Sequence, residues 1–209
     1  MHLFTPDGKL LREVVAPGPN GVLALGWSCG KDNLALLQTT PSGHALICIF
    51  YLWDQQRREV IDFKGSRELR EPTCMEWSLT DPDLLAVGTA KGVVYIHQTR
   101  FKAQAFMVPP PAGAGRVLWM QWMETRDVLA VAYDDDRTIR FYDVGCHGDA
   151  RCVVSIACKH RPIGMRVAPR HRWGGSGAGQ MDEERERSVG GWGFVRVAIC
   201  LSLAVSVSV

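Results

Sequence analysis

Thr73-Cys74-Met75-Glu76-Trp77-Ser78, Leu84-Leu85-Ala86-Val87-Gly88-Thr89, Gly92-Val93-Val94-Tyr95-Ile96 and Ala105-Phe106-Met107-Val108 are four strand-length pieces. They are rich in β-branched, aromatic and small apolar residues, with the short turn Ala90-Lys91-Gly92 between the second and third. The middle two are apolar on consecutive residues, which is how a strand reads when both of its faces are buried.

Working outward, the same order of pieces recurs on either side. Upstream come Val22 to Ser28, Asn33 to Leu37, Ile47 to Asp54 and Val60 to Phe63; downstream come Val117 to Trp122, Val128 to Ala132, Thr138 to Asp143 and Cys152 to Ile156. Trp27, Trp77 and Trp122 fall 50 and 45 residues apart, and each is followed seven or eight residues later by a Leu-Ala pair: Leu34-Ala35, Leu85-Ala86, Leu129-Ala130. A repeat period of this length made of four strands specifies the blades of a β-propeller, since a β-sandwich offers short strands without having to repeat its own sequence. The longer first interval is assigned to Thr39-Thr40-Pro41-Ser42-Gly43-His44, read as an extended hairpin tip. Leu3 to Val15, with the turn Asp7-Gly8, reads as the last hairpin of a preceding blade, so the pattern opens in mid-repeat.

The expected architecture is therefore all-β: a WD40-type propeller fragment over residues 1–158, with a partial blade at about 1–16, complete blades at 20–64, 71–108 and 115–157, and a disordered low-complexity tail at 159–209. Trp27, Trp77 and Trp122 are read as blade anchors, and the aromatic-acid pairs Trp53-Asp54 and Tyr142-Asp143 as third-strand ends. There the ring is expected to pack between blades while the carboxylate accepts donors near the turn. The second unit shows Ile96-His97 instead. Trp119 and Trp122, three apart on one strand, are expected on opposite faces.

The stretch Phe50-Tyr51-Leu52-Trp53-Asp54, with Trp77-Ser78, Asp83 to Gly92 and Ile96-His97-Gln98-Thr99, resembles the N-terminal propeller of the WD repeat-containing protein 19 family. The likeness covers about residues 1–145. It implies a subunit of intraflagellar transport complex A, a scaffold of the cytoplasm, cilium and ciliary base acting in retrograde transport and cilium assembly, with other complex A subunits as partners. The alternative is a propeller domain of another cytosolic assembly: a coat, a ubiquitin ligase or a multidomain enzyme.

Catalysis and cofactors are not expected. Gly-x-Ser-x-Gly, Walker-type and His-Glu-x-x-His motifs are missing, and the six histidines are scattered. Cys146, His147, Cys152, Cys158 and His160 are the densest candidate ligands, but their five-residue gaps do not match the Cys-x2-4-Cys hooks of structural zinc sites, and Cys152 and Cys158 also suit the apolar face of a strand. Asp134-Asp135-Asp136 reads as a solvated hairpin tip rather than a cation site. A net charge of +2 offers no field for nucleic acid, and the 13 apolar residues after Arg196 are too few to span a bilayer as a helix, so neither nucleic acid nor direct membrane insertion is expected. Met1 to Phe4 lead straight into a turn without a signal-peptide pattern, and Cys29, Cys48 and Cys74 sit in apolar runs as free thiols do in a reducing compartment. Gly174-Gly175-Ser176-Gly177 and the charged run Asp182 to Arg187 mark the tail as unable to build a core.

Overall fold

A computed structural model describes residues 2–167, apart from 5–6, 15–17, 31, 55–56, 65, 100–104, 125–126, 135, 146–148, 160–161 and 163–164, together with 197–199. Strands β1 (His2–Phe4) and β2 (Leu10–Glu13) form a hairpin. Three four-stranded antiparallel sheets follow, each in simple meander order. The first blade is β3 (Val22–Trp27), β4 (Asn33–Thr39), β5 (Ala45–Tyr51) and β6 (Arg58–Asp62). The second is β7 (Pro72–Trp77), β8 (Leu84–Thr89), β9 (Val94–Gln98) and β10 (Ala105–Val108). The third is β11 (Val117–Trp122), β12 (Val128–Tyr133), β13 (Thr138–Val144) and β14 (Ala150–Ala157). Finally β15 (Met165–Val167) pairs with β16 (Val197–Ile199).

Burial explains the residue choices. Every residue of β8 and β12 is buried, as are all but the last of β4. Of these second strands, β4 and β8 lie between neighbouring sheets, so neither face meets water. Their alternate residues serve two different seams. Leu85 and Val87 pack with Ala35, Leu37, Ile47 and Ile49 of the first blade, whereas Leu84 and Ala86 pack with Met120, Trp122 and Leu129 of the third. Each fully buried Leu, Ile or Val contributes about 1.5–3 kcal/mol, so blades are stabilised mainly by their neighbours. The fourth strand β6 alternates exposed and half-buried positions, and β10 and β14 are exposed or half-buried apart from Val108, as outer edges are.

The β1–β2 hairpin occupies the outer part of the position a blade would hold before the first. Leu3 and Val14 pack on Leu34, Leu36, Cys48 and Phe50. No described strand covers β3 on that side, where Leu23, Leu25 and Trp27 are 54%, 55% and 39% exposed.

One expectation is corrected. The longer first repeat does not come from its hairpin tip. Thr40-Pro41-Ser42-Gly43-His44 and Thr89-Ala90-Lys91-Gly92-Val93 make the same turn: in both, the Thr N–H bonds the carbonyl of the fifth residue, the Gly N–H bonds the Thr carbonyl, and the Thr Oγ1 accepts the N–H of the fifth residue. Gly43 and Gly92 sit there at φ of 81° and 78°, which a side chain resists. The extra residues lie mostly in the strands, since β4 and β5 run seven residues each against six and five for β8 and β9. Within the segment after 158, β15 and β16 are described; the rest of 168–209 falls outside the described residues, and with it the expectation of disorder there.

The second seam is tight at Gly88, where an added Cβ would stand 2.7 Å from Val117 Cγ1 and 2.9 Å from Cys74 Sγ. Gly88→Ala is expected to cost about 1–3 kcal/mol in urea unfolding of the whole chain. Gly21→Ala, with nothing within 4 Å of the new methyl group, should stay within about 0.5 kcal/mol. Equal effects of the two would show that the seam is not close-packed.

Candidate interaction surface

The tryptophans hold the seams by hydrogen bonds as well as by area. Trp77 Nε1 donates to the Gly26 carbonyl at 3.0 Å, and Trp122 Nε1 donates to the Glu76 carbonyl at 3.1 Å. Each indole thus reaches the backbone of the preceding first strand, at the residue just before the preceding tryptophan. The two rings are 4% and 1% exposed, whereas Trp27, at the same register opposite Leu34, has no described first strand to reach. Trp119 lies on the other face of β11 from Trp122, packs beside Met123 and Val128, and donates to the Pro162 carbonyl at 3.3 Å.

The aromatic-acid pairs are not equivalent. Strand register places Phe50, His97 and Tyr142 at one position, opposite Leu34, Leu85 and Leu129 respectively. Tyr142 packs in the seam between the second and third blades, with its hydroxyl 3.3 Å from that of Tyr133. Trp53 lies three residues beyond Phe50, past the end of β5, and is 65% exposed. It does not pack between blades; the turn has carried it out into solvent. Asp54 accepts the Arg57 N–H on both its carbonyl and Oδ1, closing that turn, whereas Asp143 is an exposed residue within β13.

The turns joining first to second strands and third to fourth strands gather at one rim, and there the first two blades build a polar and aromatic cluster. The Arg57 guanidinium lies 4.3 Å from the Tyr51 ring centroid and 5.4 Å from that of Trp53, a stacked cation–π arrangement. Tyr51 donates to Glu59 Oε2 at 3.1 Å, and burial, with Glu59 adding to it, pushes the phenol up to about 12. Glu59 Oε1 lies 3.5 Å from Nε2 of buried His97, without the alignment of a hydrogen bond. Burial holds His97 below the ordinary imidazole value, with the Glu59 carboxylate opposing it. Leu79, in the first turn of the second blade, is 45% exposed at the same rim.

Each blade also carries an aspartate at the mouth of its second strand. Asp32, Asp83 and Asp127 stand two residues before the repeated leucines, and their carbonyls accept the N–H of Leu52, Thr99 and Val144. Asp83 Oδ1 takes the Thr99 hydroxyl at 2.7 Å; Asp127 Oδ1 takes Thr80 at 2.7 Å and Ser78 at 3.2 Å, joining the third blade to the second. The recurrence was countable in the sequence from the same leucines.

Of the other candidates, Cys146, His147, His160 and Asp135 lie outside the described residues. Cys152 is exposed on β14 rather than on an apolar face, and Cys158 is half-buried against the third blade. Asp134 pairs with Arg116 at 3.2 Å and Asp136 with Arg140, so these two carboxylates are half-buried partners in ion pairs and not a solvated tip. Cys48 is buried and Cys74 half-buried, with burial pushing the Cys74 thiol up to about 11, but Cys29 is exposed.

Repeated four-stranded meanders, doubly buried second strands and tryptophan-linked seams define a WD40-type β-propeller domain. The family model of the anaphase-promoting complex subunit 4 WD40 domain matches residues 75–165. Among solved structures, a chain in the crystal structure of the mitotic checkpoint complex is similar at TM-score 0.53 and 16% identity, over 71% of this chain and 43% of its own. Saccharomyces cerevisiae Sqt1 is similar at TM-score 0.55 and 12% identity, over 72% of this chain and 39% of its own. This chain therefore spans about two fifths of those chains. No curated protein matches it in sequence.

The seam bonds predict that Trp77→Phe and Trp122→Phe each destabilise by about 2 kcal/mol, from lost volume plus an orphaned buried carbonyl, while Trp53→Phe stays within about 0.5 kcal/mol in the same denaturation series. The pH dependence follows from His97. Its folded form holds a proton less tightly than the unfolded chain, so its contribution is fully present above about pH 6.5, the ordinary imidazole value, and is lost as pH falls below it. Chemical unfolding across that range should show His97→Gln losing less stability with acid than the parent; an identical slope would remove His97 as the cause.

Proposed function

We propose that the chain is a non-catalytic protein-interaction scaffold that meets its partner through the rim of its first two blades. The observation that carries this is Trp53, 65% exposed yet stacked on Arg57, on the same rim as the exposed Leu79. Trp, Tyr and Arg dominate binding hot spots because they bury large area at little entropic cost, and a stacked Arg-Trp pair is already ordered before the partner arrives.

The assembly we assign it to is intraflagellar transport complex A, at the cilium and ciliary base, with other complex A subunits as partners and a role in retrograde transport and cilium assembly. What supports this is the run Phe50 to Asp54 together with Asp83 to Gly92 and Ile96 to Thr99. A second reading, a subunit of a different large assembly, is supported by the match to the WD40 domain of an anaphase-promoting complex subunit.

Affinity purification of the tagged chain from ciliated cells separates the two. Complex A subunits are expected in the eluate; recovery of anaphase-promoting complex subunits in their place would overturn the transport assignment. Trp53→Ala combined with Arg57→Ala should lower partner recovery about tenfold or more, as loss of about 1.4 kcal/mol does, without moving the unfolding midpoint. Undiminished recovery would place the contact elsewhere.

A further inference from the structure

The Arg57–Trp53 stack is tied to the second blade through one carboxylate. Glu59, on β6, accepts the Tyr51 hydroxyl on Oε2 at 3.1 Å and places Oε1 3.5 Å from Nε2 of His97 on β9. That nitrogen is buried and has no hydrogen-bond partner among the described residues, so it faces the carboxylate without being satisfied by it. The imidazole itself is held in place. The Tyr95 ring stacks on it at 6.2 Å and 16°, the Tyr95 hydroxyl lies 3.4 Å from Nδ1, and Phe63 closes edge-on against Tyr95 at 4.7 Å. The Glu59 side chain is 31% exposed against 8% for His97, so the carboxylate is the partner with room to move.

Few other groups bear on His97. Glu59 faces it from β6 and Tyr95 from its own strand, while Leu85 of β8 and Ala105 of β10 stand opposite it across the ladder and carry no charge. Arg57 and Asp83 act one step further off, on Tyr51, with opposite signs. A proton taken from solvent makes the ring a cation with its Nε2–H beside a carboxylate, and such a charge-assisted bond, about 2.7–2.9 Å long, competes for Glu59 better than a neutral phenol does. Tyr51 also acts on Arg57 through its ring. While the hydroxyl donates to a carboxylate the ring face carries more negative charge, and the guanidinium 4.3 Å from its centroid is held more firmly.

We propose, on the footing that this rim binds the partner, that one proton on His97 switches it: uptake draws Glu59 off Tyr51 and onto His97, the stacking of Arg57 on Tyr51 and Trp53 is loosened, and the partner is released as pH falls. Glu59 belongs to the first blade with Tyr51, Trp53 and Arg57, whereas His97 belongs to the second, so the state of the seam sets the order of the rim. Burial holds His97 below the ordinary imidazole value of about 6.5, so the rim is ordered above that pH and loosens on acidification below it.

Acrylamide quenching of Trp53 in the full chain tests this, with the Trp53 signal taken as the difference between the parent and Trp53→Phe, from about pH 8 to about pH 5 so as to span the imidazole range. The quenching constant of Trp53 is expected to rise on acidification along a one-proton curve while far-ultraviolet circular dichroism stays unchanged. A flat constant, or one that rises only as the dichroism is lost, would overturn the proposal. Glu59→Gln keeps an oxygen for the Tyr51 hydroxyl and removes the charge that a protonated His97 attracts, at a part-exposed position, so Trp53 should stay in its high-pH state throughout. His97→Gln should flatten the curve as well, and a Glu59→Gln curve that matches the parent's would sink the idea. Partner recovery from ciliated-cell extract at the two ends of the range separates the switch from the rim reading. Recovery that needs Trp53 and Arg57 and falls with acid supports both. Recovery that needs them but ignores pH leaves the rim standing and removes the switch. Recovery indifferent to both residues removes the rim as the contact, and with it the release of a partner, whatever the quenching curve shows.

Discussion

The seam between consecutive blades is the constraint from which the rest of the structure follows. A tryptophan on each first strand must bury its ring and still satisfy its indole N–H, and the nearest buried acceptor is the backbone carbonyl of the strand before it. For the ring to reach that carbonyl the sheets must approach closely. Alanine at the middle of every second strand, and glycine at position 88, provide the room. The leucines or valine on either side of that alanine face the preceding unit while the alanine itself faces the other way, so β4 and β8 are each packed on both faces by neighbouring units. A blade taken alone would expose both faces of its best-buried strand, and its stability is accordingly a property of the row.

The connections are built to hold that row at both ends. At one rim, the aspartate before each second strand accepts the backbone N–H at the end of the third strand, tying two turns of the same blade together. Asp127 goes further and takes two hydroxyls of the preceding blade, so this rim is cross-linked between sheets. At the other rim, Glu71 donates its N–H to Gly43 and accepts that of Ala90, which joins the inner turns of the first two blades through the linker between them. Glu71 holds φ of 53°, uncommon for a residue with a side chain, and those two bonds fix it there. Side chains free of such duties, Trp53 and Leu79 among them, are where binding can evolve without loosening the sheets.

The sheets were legible in the sequence because doubly buried strands leave an unbroken apolar run, and because Trp and Leu-Ala recur at fixed spacing. The same counting missed the Asp32, Asp83 and Asp127 series, although it repeats as regularly as the tryptophans. Aspartate in a turn has ordinary explanations, so it did not draw the eye. The pairing of Trp53-Asp54 with Tyr142-Asp143 failed for a physical reason: residue type was matched where cross-strand register should have been. Register is fixed by the leucines opposite, and it aligns Tyr142 with Phe50. Which carboxylates are paired was likewise hidden, since Arg116 and Arg140 reach Asp134 and Asp136 only once the hairpins are formed.

A repeat array in which each unit is stabilised by its neighbours has its largest unspent interaction free energy at its terminal faces. Solenoids commonly end in polar caps for that reason. Among the described residues, Leu25 and Trp27 are exposed on one face of β3, and Trp27 is of the type that seals the interior seams. An apolar face with a fixed hydrogen-bond donor at known register is selective as well as sticky: it favours an extended strand whose backbone carbonyl falls opposite Trp27, and leaves the indole unsatisfied against any surface that lacks one. The geometry that builds the row from within therefore also limits what can extend it.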